Sequence, residues 1–549
     1  MTYHENITSF QSTGVNWRGL GGWNLYFLCK ITLLYGGYLN FHPLANLVFA
    51  AFLLLPHSSA LIRQARLLIA FPVGGVLFYY DTWLPGFESI VSQGGHVFSF
   101  TADYWLELFE RFINWDMIGV GFFILTAYLF LAQWLRFTPW VLAYLLWLWL
   151  SPQLSSVLPK TNAPASSMDI QPVKRVVENE ELEQQLDQSA PPTSANLNAY
   201  LNDFYLEERG RETQFPQQLP AKATPFDVLV INICSLAWND VEASGLLEHP
   251  VWRHFDVMFD SFNSATSYSG PASIRLLRAS CGQPSHQDLY LAAPKQCLLM
   301  DQLSQLGFEK QVAMDHSGAF GNYLKELKEL VALDIAPMSR EGLPHDLASF
   351  DGEPIYRDDA LFARWLNERG QSQAIRNATF FNLIVLHDGN RYAKNRQIAP
   401  YKARLRTLLD QLDHFLSELE RSGRKVMVVV VPEHGAALAG DRMQMSGLRD
   451  IPSPAITRIP VGIAFIGTRA PHEPTRHIAG ESSYLAISEL VAKTLGSDLF
   501  DAPTIDWDGL LNNLPKTPMV SENQGTLVVH YQDGYHIKLG QGEWVPYPQ

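Results

Sequence analysis

Long apolar runs near the N-terminus are the feature that most constrains how this chain can fold. Five segments within the first 158 residues are apolar enough to be predicted as transmembrane helices, because crossing a bilayer takes about 20 residues per helix. They cover residues 20–39, 41–59, 67–84, 117–135 and 139–158. The first run lacks a small-residue cleavage site, so it is predicted to be an uncleaved anchor and not a signal peptide.

The charged residues between these runs predict an orientation. Arg63 and Arg66 lie between the second and third spans, and Arg136 lies between the fourth and fifth. The connection between the third and fourth spans is acidic instead. Because short loops that carry arginine stay in the cytoplasm, we predict a multi-pass protein of the bacterial inner membrane. Its N-terminus would be cytoplasmic, and everything after the fifth span would be periplasmic.

Composition divides the chain into three predicted regions. Residues 1–158 are predicted to be a transmembrane domain, 159–224 a periplasmic linker and 225–549 a periplasmic α/β domain. The linker is rich in Pro, Ser, Gln and Glu, and its stretch LNAYLNDFYLEER predicts an amphipathic helix that could lie on the membrane or dock on the last region. A net charge of −14 argues against a nucleic-acid partner.

The last region alternates predicted strands with predicted helices. Four continuous apolar runs, PFDVLVINI, FFNLIVL, KVMVVVV and PVGIAFI, are typical of strands buried on both faces of a mostly parallel sheet. Helical patterns such as YKARLRTLLDQLDHFLSELERSG and SYLAISELVAKTLG follow some of them, and GTLVVHYQDGYHIKLG predicts a hairpin turning at Asp533-Gly534. We therefore expect an α/β domain with helices on both faces of one large sheet.

Residues able to bind a metal follow three of the predicted strands. Cys234 ends the first, His387 and Asp388 end the second, and Glu433 and His434 end the third. Each alone has an ordinary explanation, such as a buried thiol or a hydrogen-bonded loop histidine. Because parallel strands present their carboxyl ends at one edge, the residues should meet there. Cysteine, histidine and glutamate together fit zinc, and a thiolate argues against magnesium or calcium.

A cluster of hydroxyl residues, SATSYSGPA, stands where a helix is predicted to begin. Serine and threonine commonly cap helices and proline suits the first turn, which would explain the cluster without catalysis. Alternatively, Ser269 is a nucleophile placed where free helix N–H groups can receive a phosphoryl oxygen, and a metal could acidify its hydroxyl. Tyr268 would contact a substrate or pack, and the other hydroxyls would cap or line the loop: Ser264, Thr266 and Ser267.

Four of these stretches carry a resemblance to a known family. INICSLAW, FNSATSYSGPASIRLLRASCGQ, LHDGN and VPEHGAAL resemble the alkaline phosphatase superfamily, and within it the membrane-bound phosphoethanolamine transferases of bacterial cellulose biosynthesis. The resemblance extends over essentially the whole chain. It implies transfer of phosphoethanolamine from phosphatidylethanolamine, through a serine-linked intermediate, to glucose hydroxyls of cellulose, at C6. It also implies association with subunits of the cellulose synthase complex.

The resemblance further implies a role for individual residues. Ser269 would be the nucleophile and contact the zinc ion, with Cys234, Glu433 and His434 as the zinc ligands. His387 would hold the phosphoryl group or protonate a leaving oxygen. Tyr268 would line the site, and Arg449 would pair with phosphate oxygens, a role that suits the guanidinium fork. Cys234 departs from the wider superfamily, in which an acidic ligand is usual at this position.

Cys281 and Cys297 are either two unpaired thiols or a disulfide. A periplasmic location favours the disulfide, and the resemblance also implies it. Two other functions fit the same residues: a periplasmic hydrolase of the phosphatase or sulfatase type, and a mainly structural subunit of the cellulose synthase complex. SGPAS partly resembles a sulfatase pattern, but Arg275 comes too late in the chain to complete it.

Overall fold

The chain forms two compact units in the computed structural model. One unit contains Met1–Leu84 and Phe109–Glu183, and the other contains Pro85–Leu108 and Gln184–Gln549. The residues that the structure describes are 19–36, 38–56, 59–82, 101–106, 115–157, 188–219 and 223–548. Most of the predicted linker, and the ends of several predicted spans, therefore lie outside the described residues.

The first unit is helical. Its apolar core contains Phe27, Phe49 and Leu145, all almost fully buried. A buried ion pair between Lys30 and Asp81 lies beside this core. The helices are α1 (Trp23–Tyr35), α2 (Pro43–Leu54), α3 (Ala60–Tyr80), α4 (Trp115–Leu131) and α5 (Phe137–Val157).

The prediction of five transmembrane helices is wrong for this structure. Across the described parts of the chain, we find no helix with both the length and the apolar character needed to cross a membrane. Helices α1, α2 and α4 have 13, 12 and 17 residues, fewer than the roughly 20 that a span requires. Helices α3 and α5 have 21 residues each, but α3 begins with ALIRQAR and α5 ends with SPQLSSV. An apolar run in the sequence does not reveal where its helix ends.

The second unit is built on a seven-stranded sheet with the order β10-β2-β9-β8-β1-β6-β3. Two smaller sheets accompany it, β11-β12-β13-β14 and β5-β4-β7. The strands are β1 (Asp227–Ile233), β2 (Val257–Asn263), β3 (Phe308–Met314), β4 (His345–Ala348), β5 (Pro354–Tyr356), β6 (Arg376–Leu383), β7 (Arg391–Tyr392), β8 (Val426–Pro432), β9 (Arg458–Ile466), β10 (Arg476–Ile478), β11 (Val520–Asn523), β12 (Thr526–Tyr531), β13 (Gly534–Leu539) and β14 (Val545–Tyr547).

The four predicted strands are β1, β6, β8 and β9. Strand β9 runs antiparallel to both of its neighbours, β2 and β8, while the other four pairings of the sheet are parallel. The sheet is therefore mixed, although most of its pairings are parallel. Hydrophobicity alone could not show the reversal, because a strand buried on both faces has the same apolar pattern in either direction.

Helices cover both faces of the large sheet. Val228 and Val230 of β1 face one apolar core, and Leu229 and Ile231 face the other, which is why β1 is apolar at nearly every position. The helices of this unit are α6 (Ser194–Arg209), α7 (Trp238–Ala243), α8 (Ser269–Leu277), α9 (His286–Leu289), α10 (Leu299–Gln305), α11 (Tyr323–Val331), α12 (Asp358–Gln371), α13 (Tyr401–Arg421), α14 (Pro454–Thr457), α15 (Tyr484–Leu495) and α16 (Trp507–Leu511).

Helix α6 contains the predicted amphipathic stretch and docks on the four-stranded sheet. Tyr200 packs edge-on against Tyr531 with ring centroids 5.1 Å apart, and Phe204 belongs to the same buried cluster. The structure thus selects the docked alternative. The adjacent β12–β13 hairpin turns at Gln532 and Asp533, one residue earlier than predicted, and Gln532 takes the left-handed conformation, with φ 54°.

Cys281 and Cys297 are joined in a disulfide across 16 residues of sequence. Replacing both cysteines with serine should lower the free energy of unfolding by about 3 kcal/mol. A disulfide that closes a loop of this length reduces the conformational entropy of the unfolded chain, and the loss of that entropy stabilises the folded state by about this amount. Urea unfolding of the full chain, followed by circular dichroism, measures the change. Cys29→Ser is the control, since Cys29 is a free cysteine. Equal stability of the double variant and the native chain would contradict the expectation.

Candidate functional site

Four strands of the large sheet end at one edge and carry the candidate residues there. Strands β1, β6 and β8 are parallel, and β2 has the same direction because both β2 and β8 oppose β9. Cys234 follows β1, His387 follows β6, and Glu433 and His434 follow β8. The SATSYSGPA loop follows β2, a strand that the sequence analysis did not predict, and leads to Ser269 at the start of α8.

Three of these side chains form a compact cluster with the chemistry of a metal site. Ligand atoms of Cys234, Glu433 and His434 all lie within 4.8 Å of one another, and the three residues are buried. Ser269 completes the cluster: its Oγ is 3.4 Å from Cys234 Sγ and 3.3 Å from His434 Nε2. Residues from β1, β8 and α8 thus converge on one point.

Glu433 is held in place through one carboxylate oxygen only. Its Oε1 accepts hydrogen bonds from Asn382 Nδ2 at 2.7 Å and from Ser273 Oγ at 3.3 Å. Its Oε2 is buried and has no hydrogen-bond partner among the described residues. A buried carboxylate oxygen without a partner is costly, and a cation at this point would satisfy it.

The imidazole of His434 is oriented by its own loop. Its Nδ1 donates to the carbonyl oxygen of Gly435 at 2.9 Å, so Nε2 carries the lone pair and faces Ser269. Burial, and secondly the charge of Arg449, lower the pKa of His434. The ring is therefore neutral, which is the form that binds a metal.

The thiol of Cys234 needs a cation to ionise. Burial, and then the negative charge of Glu433, raise its pKa to about 12. A bound metal reverses this effect, because it stabilises the thiolate directly. Thiolate sulfur, imidazole nitrogen and carboxylate oxygen are donors that zinc prefers. A zinc ion would also compensate Glu433 Oε2, which has no hydrogen-bond partner among the described residues. The residues present fit a zinc ion.

The hydroxyl residues of the SATSYSGPA loop differ in their surroundings. Ser269 is half-buried and is the first residue of α8, where N–H groups of the first turn lack intrahelical partners. The other three are fully buried and already hydrogen-bonded: Ser264 to the Thr266 carbonyl, Thr266 to Asn523, and Ser267 to the Arg449 carbonyl. Of the four, Ser269 is the hydroxyl that combines exposure with the metal-type cluster.

Arg449 and Tyr268 stand beside the cluster. Arg449 Nη1 donates to Ser235 Oγ at 3.2 Å and lies 3.4 Å from His434 Nε2. Tyr268 Oη donates to Asp450 Oδ1 at 2.7 Å, so the tyrosine connects the start of α8 to the loop that carries Arg449. The guanidinium is a positive group next to His434 that could pair with phosphoryl oxygens.

His387 lies on the same edge, at the end of the loop that follows β6. Its Nδ1 donates to the carbonyl oxygen of Asp388 at 2.8 Å, which leaves the Nε2 lone pair available. Burial, and secondly the charge of Arg449, lower the pKa of His387 to about 4. The imidazole is therefore neutral near pH 7, and its low basicity limits it to transient proton transfer.

Sequence reasoning missed the residues that position Glu433 and the nucleophile loop. Asn382 Nδ2 also donates to Asn232 Oδ1 at 2.9 Å, which binds these two side chains to each other on adjacent strands. Asn523 binds Thr266, Ser267 and the carbonyl of Arg449. The sequence did contain a signal for the first pair, since each asparagine interrupts an apolar stretch, VINI for Asn232 and FFNL for Asn382. The sequence contained no comparable signal for Asn523.

Gly435 stands where two loops lie too close together for a side chain. A Cβ at this position would lie 2.7 Å from Ala237 Cβ and 2.9 Å from Asp240 Oδ2. Asp240 joins the two loops, because its Oδ2 accepts hydrogen bonds from the N–H groups of Ala237 and Ala436 at 3.0 and 2.7 Å. The glycine therefore allows the two loops after β1 and β8 to approach each other.

Comparison with known proteins identifies the family. Residues 181–544 match the family described as cellulose biosynthesis protein BcsG C-terminal domain, and residues 23–150 match the corresponding N-terminal domain. The chain belongs to the BcsG family. The BcsG proteins of Salmonella typhimurium LT2 and Escherichia coli K12 are each 52% identical to it, and each alignment covers all of both chains.

Two solved structures are similar to part of the chain at low sequence identity. A protein of the alkaline phosphatase superfamily from Vibrio parahaemolyticus covers 64% of this chain and 87% of its own, at 12% identity and a TM-score of 0.44. The C-terminal periplasmic domain of EcEptC from Escherichia coli covers 61% and 96%, at 11% identity and a TM-score of 0.39.

Proposed function

We propose that this chain is a zinc-dependent phosphoethanolamine transferase that moves phosphoethanolamine from phosphatidylethanolamine to glucose hydroxyls of cellulose, at C6. One observation carries the proposal: the Ser269 hydroxyl lies within 3.4 Å of both Cys234 and His434, at the first turn of a helix. A hydroxyl beside a metal-type cluster and free backbone N–H groups is suited to accept a phosphoryl group. The family description supports cellulose as the acceptor system.

The reaction proceeds by two displacements at phosphorus. In the first, Ser269 Oγ bonds to phosphorus, the bond to the diacylglycerol oxygen breaks, and the Ser269 proton is passed to that oxygen through His387 Nε2. In the second, a glucose hydroxyl oxygen bonds to phosphorus and the bond to Ser269 Oγ breaks. His387 then takes the glucose proton and returns it to Ser269, which restores the starting state.

Charge on the phosphoryl oxygens is stabilised from several sides. Arg449 Nη1 and Ser269 Oγ both approach His434 Nε2, at 3.4 and 3.3 Å, and the N–H groups at the start of α8 would add partial positive charge. Tyr268 lines the site from the N-cap position. Cys234, Glu433 and His434 would hold the zinc ion, which when bound supplies Lewis-acid charge and lowers the pKa of the Ser269 hydroxyl.

The proposed setting is the periplasmic side of the bacterial inner membrane, where the lipid donor is available, together with cellulose synthase subunits. The Cys281–Cys297 disulfide supports an oxidising compartment. We propose residues 225–549 as the catalytic domain, because every site residue named above lies within this range.

The products of the reaction test this proposal against the two alternatives. Purified full-length protein, incubated with phosphatidylethanolamine vesicles and cellopentaose, should yield phosphoethanolamine-modified cellopentaose and diacylglycerol, detected by mass spectrometry. Exopolysaccharide from producing cells should contain phosphorus, and that from cells lacking the protein should not. Free phosphoethanolamine without a modified glucan would identify a hydrolase. Unmodified glucan and intact lipid would contradict an enzymatic role and favour a structural subunit.

A further inference from the structure

A short segment far from the α/β domain in sequence packs against the loop that carries His387. Residues 101–106 belong to the same compact unit as that domain, although residue 104 precedes residue 388 by 284 positions. Tyr104 is buried against this loop, and only 7% of its surface is exposed. Its Oη donates to Asp388 Oδ2 at 3.1 Å.

One backbone hydrogen bond and two arginine side chains hold this segment in place. The N–H group of Thr101 donates to the carbonyl oxygen of Phe350 at 3.2 Å. Arg391 Nη2 donates to the carbonyl oxygen of Asp103 at 3.0 Å, and Arg396 Nε lies 3.4 Å from the Asp103 carboxylate. The segment is therefore attached through residues that precede Tyr104, which orients the tyrosine toward the His387 loop.

The loop is shaped to receive the tyrosine ring. A Cβ at Gly389 would lie 2.5 Å from Tyr104 and 2.8 Å from Phe350, and Gly389 itself has φ +75°. The Tyr104 and Phe350 ring centroids are 5.8 Å apart. A side chain at Gly389 would displace the ring, so the glycine and the tyrosine depend on each other.

The groups that Tyr104 touches are the groups that hold His387. The carbonyl oxygen of Asp388 accepts from His387 Nδ1 at 2.8 Å. The Phe350 ring lies over the imidazole, with centroids 4.7 Å apart and an angle of 32° between the rings. Tyr104 holds Asp388 through a hydrogen bond to its carboxylate, and its ring packs against Phe350.

We propose that Tyr104 is a positioning residue, which orients the His387 imidazole through Asp388 and Phe350. The inference rests on the proposed function, because it assigns His387 a role in proton transfer. Tyr104 does not touch the reacting atoms. It keeps Asp388 and Phe350 in the arrangement that holds the His387 ring, and a small displacement of a reacting group is enough to slow a reaction strongly.

The full-length Tyr104→Phe variant tests this role, because it removes one oxygen and keeps the ring. In the cellopentaose assay its kcat should fall about tenfold while the KM for lipid and glucan stays unchanged. Asp388→Asn keeps an oxygen that can accept from Tyr104 and should retain most of the activity, whereas Asp388→Ala should not. Adding Tyr104→Phe to Asp388→Ala should cause a much smaller loss than Tyr104→Phe causes in the native chain, since the carboxylate that accepts from this hydroxyl has been removed.

Tyr531→Phe is the matched control. Tyr531 is a buried tyrosine whose hydroxyl donates to the carbonyl oxygen of Ala190 at 2.9 Å, on the four-stranded sheet. Its variant should keep the native kcat. An unchanged kcat in Tyr104→Phe, or losses that simply multiply in the double variant with Asp388→Ala, would overturn the positioning role while leaving the proposed function in place.

A second measurement does not depend on activity. The His387 N–H donates to the carbonyl oxygen of Ile384 within the loop that Tyr104 supports. Tyr104→Ala should therefore speed amide hydrogen exchange in residues 384–391, with peptides from β12 unchanged. If exchange in the loop stays at the native rate, the positioning role is wrong. If the exchange changes but the native chain transfers no phosphoethanolamine, the proposed function fails and the structural contact stands.

Discussion

Replacing Ser269 with alanine should abolish phosphoethanolamine transfer and leave the protein folded. The expected loss in kcat is roughly six orders of magnitude, the size of effect that removal of a covalent nucleophile produces. The cost in stability should be small. Ser269 is the first residue of α8, and no side chain forms a capping hydrogen bond at this helix start.

The covalent intermediate and a matched hydroxyl variant make the test specific. Mass spectrometry of the native chain incubated with phosphatidylethanolamine should find a phosphoethanolamine adduct on the peptide that contains Ser269. Ser264→Ala is the control, because the Ser264 hydroxyl donates only to the nearby Thr266 carbonyl at 2.9 Å in the described structure, and it should keep most of the activity. An adduct on Thr266, or undiminished transfer by Ser269→Ala, would contradict the assignment of the nucleophile.

Removing Cys234 should eliminate the bound metal and with it the activity. The native chain should contain about one zinc ion, measured by inductively coupled plasma mass spectrometry, because three buried donors converge within 4.8 Å and Glu433 Oε2 has no hydrogen-bond partner among the described residues. Cys234→Ala leaves two protein donors, so zinc content should fall to a small fraction. His434→Ala should have the same effect.

Cys29→Ala is the matched control for that loss. Cys29 and Cys234 are the free cysteines of the described structure, but Cys29 lies in α1, where no metal-type cluster is found among the described residues. Its variant should retain the native zinc content and activity. The circular dichroism spectrum of Cys234→Ala must match that of the native chain. Stoichiometric zinc in folded Cys234→Ala and His434→Ala would show that these residues are not the ligands.

The membrane part of the sequence prediction shows the limit of hydropathy. The runs at 20–39 and 41–59 are largely apolar, yet their helices are Trp23–Tyr35 and Pro43–Leu54. Helix α1 ends just before Gly36, and α2 ends at Leu54, with Leu55 already non-helical before Pro56, while the composition stays apolar. Average hydrophobicity measures preference for an apolar environment and is insensitive to where backbone hydrogen bonding stops.

The sequence alone determined which strand ends carry the candidate metal ligands. Continuous apolar runs identify strands buried on both faces, and β1, β6 and β8 end at one edge of the sheet because these three run parallel. Residues that directly follow them, Cys234, Glu433 and His434, could therefore be placed near one another from the apolar pattern. Ser269 could be chosen from its local pattern too, because the start of a helix is visible in a few consecutive residues.

Only the tertiary structure decided how those residues are held. Asn523 is hydrogen-bonded to a residue 257 positions away, and Tyr104 to one 284 positions away. Local sequence patterns report backbone preference and burial over a few turns or one strand. A hydrogen bond between distant segments leaves no such pattern, because its partners meet only once the sheet, its direction of pairing and the loops at its edge have formed.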